Sequence, residues 1–350
     1  MTEITHYSKR RSRQRSSVTT VIAVFLLMIS TTSAFAGDCA PLSGELKIGK
    51  TDGDYSSVSA AVTALKCGGI SGPVTFLLED GTYPEKIDLS DIPGVSAKST
   101  VTFESAKGNN SDVILTSTSA DAEYTLRLTG SSYVIFENLT IENKSGNTGN
   151  AIRIDGSAHH LTFRNVLFNG AERTNTGANS AVIYSTSNGS KNSILIENCS
   201  VNNGSMGIYK GGGPTEDTRT SITGTLFFNQ YESAIALNNE TAPVLSNNVI
   251  SSVSNYKEFK AIAMSKIGGE MIISSNVVNA VNGIYGLFLK DCGGTSEKYA
   301  SVSNNAVNVG GDGAMYGLYL VGSTDTVVFN FNRVKLTPSK QNATNQAYYK

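Results

Sequence analysis

Three groups of residues in this sequence have types and spacing that could do chemistry. The first is Asp155-Gly-Ser-Ala-His159-His160-Leu161, which holds two of the three histidines. A histidine near Asp155 could act as a general base. The string places no nucleophile and no third metal ligand, so it reads as a turn leading into a strand at Leu161. The second group is Glu104, Glu137, Arg164 and Glu197, which recur at similar intervals. Glu137, Arg164 and Glu197 alternate in sign and read as a surface ladder. A calcium site needs several converging carboxylates, and Arg164 in the middle opposes one. Neither a metal nor a cofactor is expected. The third group is Arg127, Arg153, Ile183, Tyr209, Ala236, Ala263, Phe288 and Tyr319, with Tyr285 and Tyr316 three residues before the last two. If these share one face, two arginines stand at one end and aromatics at the other. Exposed rings on a flat face can stack on sugars. They can equally stabilise a sheet by stacking across strands.

Whether any of these groups assembles depends on what positions them, and that is an internal repeat. A motif of apolar–x–apolar or Asn–x–x–β-branched recurs as Phe136-Glu-Asn138-Leu-Thr-Ile141, Phe163-Arg-Asn165-Val-Leu-Phe168 and Ile196-Glu-Asn198-Cys-Ser-Val201. It continues through Ile222, Leu245, Ile273, Val302 and Phe329, with fainter copies at Phe76 and Phe103. The third positions, from 138 to 331, are spaced 27, 33, 26, 23, 28, 29 and 27 apart. Between the copies runs a second motif, small–apolar–x–apolar. Examples are Ala151-Ile-Arg-Ile154, Ala181-Val-Ile-Tyr184, Gly207-Ile-Tyr-Lys210 and Gly317-Leu-Tyr-Leu320. Both motifs are short, alternating and β-branched, hence strands. No leucine lattice or helical segment accompanies each repeat, which excludes leucine-rich repeats. The expectation is an all-β, right-handed parallel β-helix of about ten coils. In such a stack like residues lie about 4.8 Å apart and form ladders. Asn248, Asn276, Asn305 and Asn332 fall in one column and read as an inward, structural amide ladder.

The ends differ from the repeat. Residues 1–36 have a basic start (Lys9 to Arg15), an apolar run from Val21 to Ile29 and a small-residue stretch ending at Ala36. That is the layout of a cleaved signal peptide, and the run is too short to span a bilayer. No transmembrane segment is expected after cleavage. Residues 37–72 form an amino-terminal cap, with a helix over Tyr55–Lys66 that begins at Ser56 or Ser57 and ends at Gly68. Residues 73–337 form the β-helix, and 338–350 form a tail or the start of a missing coil. Cys39 and Cys67 flank the cap and can pair in an oxidising compartment, whereas Cys199 and Cys292 lie several coils apart. The chain carries 28 basic and 29 acidic residues; a leader with five basic and one acidic leaves 23 against 28, a net charge of −5. That balance disfavours nucleic acid as a partner.

Asp54-Tyr-Ser-Ser-Val-Ser-Ala-Ala-Val62 followed by Gly81-Thr-Tyr-Pro-Glu-Lys-Ile87 resembles the entrance to the pectin-lyase-like β-helix superfamily. The passage is similar to bacterial surface β-helix proteins and, more distantly, to pectin methylesterases. The resemblance implies the fold over nearly all of the chain after residue 36, but not an activity. The methylesterases' Gln-Ala-Val strand falls here at Asn150-Ala151-Ile152, without the Gln. Their Asp-Phe-Ile-Phe-Gly and Gly-Arg-Pro-Trp strings do not occur, and the chain has no Trp. The Asp-Asp pair and Gly-His-Gly of polygalacturonases are also missing, as is the calcium-binding acid cluster of pectate lyases. The expectation is a secreted or cell-surface, non-catalytic module, adhesin-like or glycan-binding. Its partner would be an extracellular polysaccharide or cell-surface glycan. The ligand contacts would come from Tyr209, Tyr285, Phe288, Tyr316, Tyr319, Arg127 and Arg153. The alternative is a lyase, esterase or hydrolase of the same fold with a divergent site.

Overall fold

The computed structural model describes residues 39–350, apart from 118, 120, 121, 147, 187–192, 212–218, 324, 325 and 341–343. The signal-peptide segment, 1–36, lies outside the described residues. The chain winds through three parallel sheets of eleven, ten and ten strands, a solenoid of about eleven turns. Each full turn contributes one strand to each sheet. Phe136 lies on the first sheet, Ile141 on the second and Ile152 on the third. The count exceeds the ten coils read from the motifs because Leu42–Ile48 also pairs in parallel with Ile70–Leu78. At the other end, Asn345–Tyr349 adds a strand to the third sheet beside Met315–Val321.

The corner between the first and second sheets explains the first motif. Residues 138, 165, 198, 224, 247, 275, 304 and 331, its third positions, all have φ between 48° and 61°. A single left-handed residue turns the chain from one sheet to the next, and the next side chain points inward. The left-handed region suits Gly and Asn and costs other residues about 1–2 kcal/mol. Five of the eight corners are therefore Asn and one is Gly224. Phe331 is the costly exception, 88% exposed with φ 55°.

The inward residue after the corner changes chemistry along the stack, from Leu139, Val166 and Cys199 to Thr225 and then four asparagines. Asn248 donates its backbone N–H (3.0 Å) and its Nδ2 (2.9 Å) to Asn276 Oδ1. Asn276 treats Asn305 in the same way, and Asn305 treats Asn332. Each Nδ2 also reaches a first-sheet carbonyl of the preceding turn, as Asn276 does at Leu245 O, 3.0 Å. Asn248, Asn276 and Asn305 are buried. The amides thus satisfy corner backbone groups that water cannot reach. In the earlier coils the core is filled by stacked Phe76, Phe103, Phe136 and Phe163, with centroids 5.0, 5.3 and 5.7 Å apart.

The helix Val58–Gly68 buries Val58, Ala61, Val62 and Leu65 at helical spacing. Ser57 accepts from Ala60 N, and Gly69, at φ 65°, ends the helix one residue later than read. Glu85 accepts from Val58 N (3.1 Å) and Ser59 N (2.8 Å), placing a carboxylate on the helix amino terminus. A Cys39–Cys67 disulfide, Cα–Cα 5.5 Å, ties the helix to the first strand's approach. Cys199 and Cys292 are free and buried. Burial pushes their thiols up, to about 12 and about 11.

Two outcomes follow from this packing. Asn276→Leu strands the Leu245 carbonyl and the Asn248 donors, so urea unfolding should show a loss of about 1–3 kcal/mol per orphaned group. Phe331→Asn, at an exposed left-handed corner, should raise stability by about 1 kcal/mol. A melting curve unchanged in both variants would contradict the corner geometry. Thiol titration of native protein should detect no free cysteine, and two after denaturation, because a protonated buried thiol does not react.

Candidate functional site

The third sheet has an outward column formed by the x positions of the second motif. Parallel pairing links Asp88, Arg127, Arg153, Tyr184, Tyr209, Ala236, Ala263, Phe288, Tyr319 and Tyr349 in succession. One residue differs from the sequence reading. Ile183 is buried and pairs with Ile152 and Ile208, whereas Tyr184 takes the outward place between Arg153 and Tyr209. The preceding turn, Ala178–Ser180, is a short 3-10 helix that starts this strand late. Strand side chains alternate, so a slip of one residue exchanges inside for outside.

At the amino end of the column the arginines are engaged. Arg127 Nε and Arg153 Nε both donate to Asp155 Oδ2, at 3.1 and 3.0 Å, and Thr186 Oγ1 donates to Oδ1 at 3.2 Å. Arg153 also lies over the Tyr184 ring, 4.9 Å from its centroid. Lys86 lies over Tyr124, 4.2 Å from its centroid, and Tyr124 donates to Asp88. The result is a charge-balanced platform, with cations held against rings and carboxylates.

The aromatic end is a herringbone. Phe288, Tyr319 and Tyr349 stack successively at 5.3 and 4.6 Å with interplanar angles of 6° and 3°. Tyr285 and Tyr316 stack beside them at 5.3 Å and meet the first column edge-on. Ring planes therefore stand across the solenoid axis, and Tyr319 has a neighbour on both faces. What these rings turn outward is edges and hydroxyls. Burial raises the Tyr285 and Tyr209 phenols above their usual range, so both remain protonated donors. Lys260 Nζ sits 5.5 Å from the Phe288 centroid and 5.6 Å from that of Tyr285.

Between the two ends the column falls to alanine. Tyr184 stacks on one face of Tyr209 at 5.6 Å. Beyond its other face come Ala236 and Ala263, then Phe288. Tyr209 and Phe288 are three coils apart, about 14 Å at about 4.8 Å per coil. They form two aromatic walls with a low floor between them.

The other candidates lie elsewhere. His159 and His160 face each other, Nδ1 to Nδ1 at 2.7 Å, and both contact the Tyr133 ring. Tyr133 and His160 border a groove of about 430 Å³ on the first sheet, together with Ile135, Thr162, Leu195 and Arg219. Arg164 reaches Glu197 at 3.2 Å and Glu137 at 3.8 Å, half-exposed pairs worth about 0.2–1 kcal/mol each. Among the described residues, no three His, Cys, Asp or Glu side chains converge as metal ligands would. The sequence reading missed a buried ion pair, Lys210 with Glu240. Its one signal was a lysine in the last apolar place of Gly207-Ile-Tyr-Lys210.

No protein-family model and no curated protein matches this sequence. Among solved structures it is similar to pectate lyase Pel9A, 15% identical over 88% of this chain and 82% of that one, with a TM-score of 0.51. It is also similar to the pectin methylesterase from Aspergillus niger (15% identity, 89% and 91% covered, TM-score 0.40). PfbA, a surface adhesin of Streptococcus pneumoniae, matches at 13% identity with 87% and 93% covered and a TM-score of 0.44. The likeness is one of fold: the chain is a parallel β-solenoid of the pectin-lyase-like kind.

Proposed function

We propose that this protein is an exported, non-catalytic β-helix module that holds a polysaccharide across the outer face of its third sheet. The observation that carries this reading is the alanine floor at Ala236 and Ala263 between the Tyr209 and Phe288 rings. These two rings each have a face directed along the axis toward that floor. A sugar's C–H face packs on such walls, and Lys260 beside Phe288 and Tyr285 offers a cation for hydroxyls or acids. Within the stack, Tyr285, Tyr316 and Tyr319 act through phenol hydroxyls and by holding Phe288 upright. Arg127 and Arg153 extend the face beyond Tyr184. Export is supported by the basic, apolar and small-residue sequence at the amino end and by a disulfide that suits an oxidising compartment.

The test is electrophoresis of the purified chain through gels containing a panel of polysaccharides, with reducing ends assayed in parallel. Retention without product is expected. Ala263→Gln fills the floor and leaves every ring stack in place. It should weaken retention about tenfold, near 1.4 kcal/mol, at an unchanged melting temperature. The double variant Phe288→Ala/Tyr319→Ala should lose retention and also stability, about 0.5–1.5 kcal/mol for each stack removed. Release of sugar products would make the protein an enzyme instead. Full retention by Ala263→Gln would move the site off this floor.

A further inference from the structure

Lys210 occupies a place in the third sheet that other coils give to core residues. Its register neighbours are Ser185 on one side and Leu237 on the other, followed by Met264. Three residues beyond Leu237, on the strand Ser233–Thr241, Glu240 also turns inward. The two side chains are each only 3% exposed, and Lys210 Nζ contacts Glu240 Oε1. Thr220 Oγ1 donates to Glu240 Oε2 at 2.8 Å, and the Thr220 backbone N–H also bonds to this carboxylate. An ammonium and a carboxylate taken this far out of water lose more hydration than one contact returns. The cluster therefore contains an amine, a carboxyl group and two donors on the carboxyl oxygen, in a site that excludes water.

We propose that Lys210 and Glu240 become joined by a side-chain amide bond that staples two successive coils inside the solenoid. Burial lowers the Lys210 amine and raises the Glu240 carboxyl, which brings the neutral amine and neutral acid within reach. These are the reacting forms. The Nζ lone pair attacks Glu240 Cδ and forms the N–C bond. The Thr220 O–H and N–H hold the oxygen on which negative charge develops, as an oxyanion hole does. The bond from Cδ to the other carboxyl oxygen then breaks. That oxygen already carries the acid proton, takes one proton from the amine and leaves as water. Nothing is oxidised or reduced, and no co-reactant is needed. Fixing the two groups in contact supplies an effective concentration of about 10⁵–10⁸ M in well-oriented cases, and the dry interior opposes the reverse hydrolysis.

Peptide mass spectrometry of the purified, folded wild-type chain tests this directly. The amide would block tryptic cleavage after Lys210 and join segments 192–219 and 220–257 into one species, lighter than their sum by one water. Lys210→Arg keeps the positive charge but has no primary amine, and its digest should contain only separate peptides. Thr220→Val removes the hydroxyl donor and should slow the appearance of the linked species in freshly made protein. Cleavage after Lys210 with both peptides at their unlinked masses in folded wild type would overturn the proposal and leave a buried ion pair. Because the decisive reading is made on the wild type, a variant that fails to fold does not affect it.

Discussion

The constraint on which this structure rests is the corner where each coil leaves the first sheet for the second. One residue must take a left-handed conformation, and the next must point inward while its backbone neighbours are sealed from water. The Asn248–Asn276–Asn305–Asn332 ladder meets both demands, since each amide bonds the next rung and a carbonyl of the turn before. Where the column is Leu139 or Val166, the corner relies on packing against the stacked phenylalanines instead. The polar ladder therefore takes over in the later coils, beyond the stacked Phe76, Phe103, Phe136 and Phe163. The two devices address the same requirement, because parallel strands at a fixed spacing must be held in register from turn to turn.

The same stacking rule governs the outer face. Identical positions fall one strand spacing apart, which suits aromatic rings lying face to face. Phe288, Tyr319 and Tyr349 accordingly spend their faces on one another, and so do Tyr285 with Tyr316 and Tyr184 with Tyr209. A run of aromatics on a solenoid is thus a stiff wall seen edge-on, not a flat platform. Recognition by ring faces is left to the ends of such runs. Two ends face each other across the small residues Ala236 and Ala263, so the alanines are as much part of the candidate site as the rings.

Charge is treated differently outside and inside. On the surface, Arg164 with Glu137 and Glu197, and Asp155 with Arg127 and Arg153, are solvated ladders of small individual value. In the interior, Lys210 and Glu240 stand in a core otherwise built from Ile, Leu and Met. A pair there is costly unless its partners are complete, and the hydrogen bonds from Thr220 to Glu240 supply part of that completion.

The sequence by itself determined the architecture. A period near 27 with two alternating motifs admits few folds, and repetition multiplies a weak local signal over many coils. The asparagine ladder was legible for the same reason: Asn at constant spacing in a stack has to meet Asn. Three features were decided only by the tertiary structure. The outward place at Tyr184 rather than Ile183 followed from where a short 3-10 turn let the strand begin, and alternation by two carries no information about its own phase. The strand Leu42–Ile48 lacks the motif because it pairs on one side only, next to the helical cap. Ring orientation and the Lys210–Glu240 contact depend on distances between coils, about thirty residues apart in the chain, which local patterning does not encode. Sequence spacing thus specified which residues share a column, while packing decided which way each one faces and what it touches.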